Sequence, residues 1–337
     1  MRKQQMTWSD RSLTSGSRER TLLAGFSLML IVSGGLLSAA LIGHAIGWER
    51  VSAPERPPLM VTPPARETRP APPKSEPEAL PSPAPVLYSP FPIHGLESLA
   101  ELQSRLKPEA LSLVLKLNRL DDRHIRRGST LIIPDPIPDW MDLSPFPHRV
   151  EALRSIAKII LVSRRVQAFG AYEFGHLVRW GPTSTGKKST PTPAGLYHTN
   201  WKARRRRSTV NPAWLLRWYV NLENREGISF HQYSLPGYPA SHACIRLFED
   251  DARWIYHWLD QWILAEDGRT ILAQGTPVIV FGRYSYGEEP PWKRLIEDPR
   301  ATMITEREIE EVLRPYRARL EREANERERL VAQLRSR

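Results

Sequence analysis

The chain has 337 residues, a formal net charge of +11 and a single cysteine. That length allows one or two globular domains, and one cysteine excludes both an intrachain disulfide framework and a multi-cysteine zinc site. The positive charge favours an anionic partner, whether nucleic acid, lipid headgroups or an acidic polymer.

Arg2, Lys3, Arg11, Arg18 and Arg20 outnumber Asp10 and Glu19 ahead of an uncharged, mostly apolar run from Leu22 to Gly43. As a helix that run spans about 33 Å, at roughly 1.5 Å per residue, enough to cross a bilayer. The pattern predicts a cytoplasmic segment over 1–20 and a transmembrane signal-anchor over 21–47, with the rest of the chain translocated. Ser38-Ala39-Ala40 and Gly43-His44-Ala45 each resemble a signal-peptidase site, so cleavage is the competing fate. The expected location is the inner membrane, single-pass, with the remainder in the periplasm or cell envelope. From 51 to 92 the sequence turns to prolines broken by Ala, Ser, Thr and scattered charges. It lacks apolar periodicity and backbone donors, which predicts an extended spacer of polyproline character.

Order is expected to return near His94. Leu96, Leu99 and Ala100 share one helical face over 95–106, and Leu111, Val114 and Leu115 mark a second helix over 111–117. Arg126-Arg127-Gly128 then leads into Leu131-Ile132-Ile133-Pro134, a short strand stopped by proline. Residues 93–135 resemble the LysM module through Leu96-Glu97-Ser98-Leu99-Ala100, Leu117-Asn118-Arg119-Leu120 and Ile125 to Pro134. The resemblance implies a small α/β wall-glycan binder; a purely structural spacer is the alternative.

Strands are predicted over 157–162, 166–169, 176–180 and 227–231, with a closing strand at Gly275 to Phe281. A helix follows from 248 or 249 to 259, its first turn carrying Glu249, Asp250 and Asp251, where the helix dipole favours negative charge. Residues 155–283 therefore read as a mainly β domain with helical insertions. Beyond it, 284–337 forms a charged helical extension: Thr305-Glu306-Arg307-Glu308 suits a capping box, and Pro315 should interrupt the helix it starts.

Chemistry concentrates around Cys244. His231 lies upstream across a loop holding Pro236, Gly237 and Pro239, His242 precedes the thiol by two positions, and Arg246 follows it by two. An imidazole can take a thiol proton, and nearby positive charge favours the thiolate. His231 is the expected general base, with His242 ordering the pocket or polarising substrate. Ser241 either orients His242 or bonds to the loop backbone. Arg246 either holds a substrate carboxylate with its rigid fork of donors or makes an internal ion pair. Left alone, an unmatched cysteine is also compatible with a small buried hydrophobe.

The region 155–283 resembles the L,D-transpeptidase (YkuD-like) catalytic domain. The resemblance rests on Thr185-Gly186, Thr190-Pro191-Thr192-Pro193-Ala194-Gly195, Ile228-Ser229-Phe230-His231, the run Pro236 to Leu247, and Gly275-Thr276-Pro277-Val278. It implies a β-rich fold acting on peptidoglycan donor and acceptor stems, Cys244 as nucleophile, His231 as its assisting base, and His242, Ser241 and Arg246 in the wall of the site. It implies neither metal nor organic cofactor. The implied reaction is acyl transfer through a thioester, with release of terminal D-alanine and formation of a 3→3 cross-link or transfer to another amine. Hydrolysis as an L,D-carboxypeptidase and noncatalytic wall binding are the alternatives. The family usually has glycine where this chain has Ala243, and a positive φ there would strain the loop by roughly 1 kcal/mol. Gln232 likewise stands where glycine or alanine is common. Lys202 with Arg204 to Arg207 forms the densest basic patch, suited to an anionic wall polymer or to a solvated loop; nucleic acid is not expected outside the cytoplasm. Trp214 and Trp218 are candidates either for a substrate groove or for core anchors.

Overall fold

The computed structural model describes residues 86–336. Strand β1 (Leu87–Pro92), helices α1 (Leu96–Arg105) and α2 (Pro108–Leu117), and strand β2 (Thr130–Asp135) follow one another, and the two strands pair antiparallel. Ile93, Leu102, Val114, Leu120 and Leu131 form their shared core. Pro108 opens α2, where the missing N–H would be unpaired in any case. Buried Asn118 ends it: its Nδ2 donates to Val114 O at 2.8 Å and Ile132 O at 2.9 Å, and its Oδ1 accepts from Ile132 N at 2.9 Å. One amide therefore satisfies the helix end and fixes β2 beside it. Leu87–Pro92 belongs to this sheet rather than to the expected spacer, because a two-stranded ribbon leaves strand edges on which Pro90 and Pro92 are tolerated.

The next domain is built on β3 (Ile159–Ser163), β4 (Ala168–Glu173), β5 (His176–Pro182), β6 (Gly195–His198), β7 (Lys202–Arg207), β8 (Leu215–Asn221), β9 (Ser229–Gln232) and β10 (Ile245–Leu247). Helix α3 (Glu249–Trp258) and strands β11 (Ile263–Leu264), β12 (Ile271–Ala273) and β13 (Pro277–Phe281) complete it. A five-stranded sheet runs β5-β4-β3-β13-β6 and a four-stranded sheet runs β10-β9-β8-β7. Ile159 and Leu161 face one core while Ile160 and Val162 face another, so β3 is apolar at successive positions. A strand covered on both faces needs that continuous pattern. The second core joins Ile160, Val162, Val278 and Val280 of the larger sheet to Val220, Phe230, Ile245 and Leu247 of the smaller sheet and to Ile255 of α3.

The opposite face of the larger sheet is closed by α4 (Glu306–Leu313) and α5 (Arg317–Arg335), which contribute Ile309, Leu313 and Leu320. Thr305 caps α4 by accepting from Glu308 N at 3.1 Å, and the chain leaves the helix around Pro315 before α5 begins.

The structure corrects the expected fold class. The domain is mixed α/β, since α3 helps to form one of its two cores and the C-terminal helices cover the other. Among the described residues no helix is long and apolar enough to cross a membrane; α5, the longest, is rich in Arg and Glu. The preceding transmembrane helix expected at 21–47 lies outside the described residues. With it, the single-pass inner-membrane location and the membrane contact are withdrawn. The Arg204 to Arg207 patch is not a loop but β7, an edge strand, where charge on an open edge discourages further pairing.

Candidate active site

Strand alternation sets the site. Phe230 of β9 and Ile245 and Leu247 of β10 enter the core, so Ser229, His231 and Arg246 face the other way. β9 and β10 run parallel with Ile245 opposite Phe230 and Arg246 opposite His231. Cys244 immediately precedes β10 and thereby falls beside Ser229. The thiol donates to Gly227 O at 3.2 Å, and its sulfur lies 3.3 Å from Ser229 Oγ, whose hydroxyl is then the donor to it.

His231 is 3% exposed and its Nδ1 lies 3.0 Å from Gln232 O. A carbonyl only accepts, so Nδ1 carries the proton and Nε2 keeps its lone pair. Burial, reinforced by the nearby Arg246 cation against the Gln232 carbonyl bond, lowers its pKa to about 4. Burial also raises the Cys244 thiol above its ordinary value, opposed by the Ser229 hydroxyl and by Arg246. The resting pair is thus a neutral thiol and a neutral imidazole.

Arg246 lies 4.7 Å from the centre of the Tyr233 ring and donates to Ser234 O at 3.4 Å. Among the described residues no carboxylate pairs with it. Ser241 Oγ donates to Cys244 O, and Ser241 N to Thr185 O at 3.0 Å, so its contacts are with the loop backbone rather than with His242. Nε2 of His242 is 3.1 Å from Lys187 Nζ, and its ring sits 5.4 Å from that of Trp214. Ala243 has φ +69°, the left-handed region that favours glycine.

The segment around Gly186 holds this loop in place. Gly186 N donates to Thr192 Oγ1 at 2.9 Å, Thr192 Oγ1 donates to Ala243 O at 2.8 Å, and Ala243 N donates to Thr190 O at 3.1 Å. A Cβ on Gly186 would come within 2.1 Å of Thr190 O, so only glycine fits. Behind it, Gln167 bonds Thr185 through both ends of its amide, at 2.8 and 2.9 Å.

Cys244, His231, His242, Ser241 and Arg246 all line one cavity of about 30 Å³, bordered also by Tyr233 and by Val210 and Trp214 of the β7–β8 connection. That is room for about one water. Of the two candidate tryptophans, Trp214 borders the cavity, whereas Trp218 packs edge-on against Tyr256 and at a tilt against His257. Sequence reasoning assigned no role to Ser229, Lys187 or Tyr233. Ser229 and Tyr233 were visible as the residues two before and two after His231; Lys187 carried no such signal.

The L,D-transpeptidase catalytic domain (YkuD) family model matches residues 157–280. No curated protein matches the chain. Among solved structures, L,D-transpeptidase 1 of Mycobacterium tuberculosis is 26% identical over 38% of this chain and 63% of its own, with a TM-score of 0.28. An L,D-transpeptidase from Stackebrandtia nassauensis is 23% identical over 38% of this chain and 57% of its own, with a TM-score of 0.31. One from Mycobacterium smegmatis is 21% identical over 38% and 59%, with a TM-score of 0.30. The chain thus spans less than two thirds of the length of these relatives. Residues 157–280 form a YkuD-like, L,D-transpeptidase-type catalytic domain containing the chain's single cysteine.

Proposed function

We propose that this protein is an L,D-transpeptidase that acts on peptidoglycan stem peptides through a thioester on Cys244. The observation that carries the reading is the tautomer of His231: its Nδ1–H is held by Gln232 O, which leaves Nε2 as a base in the cavity that contains the thiol. In the resting geometry the thiol is bonded to Gly227 O, so proton transfer begins with rotation of the cysteine side chain toward His231.

His231 Nε2 takes the thiol proton as Sγ attacks the carbonyl of the L-centre of the third stem residue. The proton then passes to the departing amine, terminal D-alanine leaves, and the stem remains as a thioester. An amine of a second stem attacks the thioester, its proton is taken up by His231, and the thiolate is released with a 3→3 cross-link formed. Proton transfer by a positioned base of this kind is worth about 10²–10⁴-fold in rate. Arg246, without an internal carboxylate partner among the described residues, is suited to a carboxylate of the stem. Ser241 shapes the loop that presents Cys244. The small cavity requires the β7–β8 connection to yield when a stem enters.

The upstream β-α-α-β module is proposed as a wall-glycan contact. A cavity of about 440 Å³ lies between its Asn118, His124 and Arg126 and the loop residues Pro236 to Tyr238 that lead to the catalytic cysteine, which supports placing the glycan there. The β7 arginines are proposed to face anionic wall polymer.

Incubation of the full chain with a purified tetrapeptide stem, with and without an amine acceptor, tests the activity. A cross-linked dimer supports transpeptidation; a shortened monomer alone identifies an L,D-carboxypeptidase. Cys244→Ala should abolish both products, and turnover by that variant would refute the mechanism.

A further inference from the structure

His242 holds a donor that nothing in the resting protein uses. Its Nδ1 is buried and has no hydrogen-bond partner, while its Nε2 lies 3.1 Å from Lys187 Nζ. A lysine ammonium has three donors and no acceptor, so the contact places the lone pair on Nε2 and the proton on Nδ1. The surroundings keep the ring neutral: burial lowers its pKa, and the Lys187 and Arg246 cations that face it act in the same direction. The cavity also holds the Cys244 thiol, the neutral His231 imidazole and the Tyr233, Ser241 and Ser208 hydroxyls, and Trp214 packs beside the ring. A buried N–H left without an acceptor is destabilising, and such groups in folded proteins call for an explanation.

Lys187 is not free to choose this contact. Its backbone N donates to Ser241 O at 2.9 Å, its carbonyl accepts from Thr190 N at 3.0 Å, and Gly186 bridges to Ser241. The same backbone that braces the cysteine loop therefore delivers the ammonium to His242. We infer that Lys187 is a positioning residue that fixes His242 as an Nδ1–H donor, and that this donor is reserved for an oxygen of the bound acyl donor. The inference rests on the acyl-transfer reading of Cys244 and adds a second layer to the site. His231 is held as a base on Nε2 by a carbonyl; His242 is held as a donor on Nδ1 by a cation. The two histidines are thereby kept in opposite tautomers within one cavity.

The test separates this from a purely structural lysine. In the full chain, ¹⁵N spectra of the histidine side chains should show His242 as the Nδ1–H tautomer. Lys187→Met should release it to the Nε2–H form or to a mixture, while Lys187→Gln, whose amide can still donate to Nε2, should retain it. Acylation of Cys244 by the tetrapeptide stem should slow about tenfold to hundredfold in Lys187→Met, in kcat more than in KM, with partial recovery in Lys187→Gln. An Nε2–H tautomer in the unaltered protein overturns the inference, as does a Lys187→Met protein that acylates at the full rate. Should the unaltered protein form no acyl-enzyme, the acyl-transfer reading fails by itself, and the tautomer still decides whether Lys187 sets the state of His242.

Discussion

Ala243 carries a methyl group in a backbone conformation, φ +69°, that glycine occupies at little cost. The strain anticipated for this position is therefore present. Ala243→Gly should stabilise the protein by about 1 kcal/mol less the added entropy of the unfolded glycine, read as a higher midpoint in chemical denaturation. Burial of His231 has a pH signature. Its folded pKa of about 4 lies below the ordinary value of 6.5. Between those values the unfolded chain binds a proton that the folded chain does not, so stability falls as pH drops through the window. The full difference corresponds to about 3 kcal/mol, reached near pH 4. Subtracting the pH–stability curve of His231→Gln from that of the unaltered protein should isolate it; parallel curves from pH 7 to 4 would contradict the burial argument. His242, Cys244 and Arg246 were legible because they fall at alternate positions of one short run, and His231 because it lies in the preceding strand, at the other end of the same loop. Ser229 showed only its place beside His231, because its contact with the thiol is made by strand register, and Lys187 showed nothing, because a remote turn brings it in.

At the scale of elements, the site is the junction of two parallel strands with a brace. The Gly186 to Thr192 segment contacts Ala243 through both its N–H and its carbonyl, so a change in the brace should reach Cys244, the proposed nucleophile, without touching substrate. Gly186→Ala should displace Thr190 O, lower the rate of Cys244 acylation at least about tenfold, and leave β-sheet circular dichroism in place. An unchanged rate would show that the brace is dispensable. Sequence periodicity found β3, β5, β9, β13 and α3 because each has an apolar face or a charged first turn. It missed β7 because four arginines in succession show no alternation, although Arg206 lies 4.6 Å from the Trp201 ring and Arg204 lies 5.3 Å from the Trp218 ring. It missed β1 because prolines read as spacer.

In the domain as a whole, the two sheets meet on one core and the C-terminal helices close the other face of the larger sheet. The sequence signalled these helices through the Thr305 cap and Pro315, but not where they pack, since that depends on residues far apart in the chain. Everything functional converges on one expectation, that Cys244 becomes acylated by a peptide stem. The most direct measurement is the intact mass of the full chain after brief incubation with a tetrapeptide stem. The account predicts an adduct equal to the stem less its terminal D-alanine, present in the unaltered protein and absent from Cys244→Ala. An unmodified mass in a protein that consumes the stem, or the same adduct on Cys244→Ala, would contradict it.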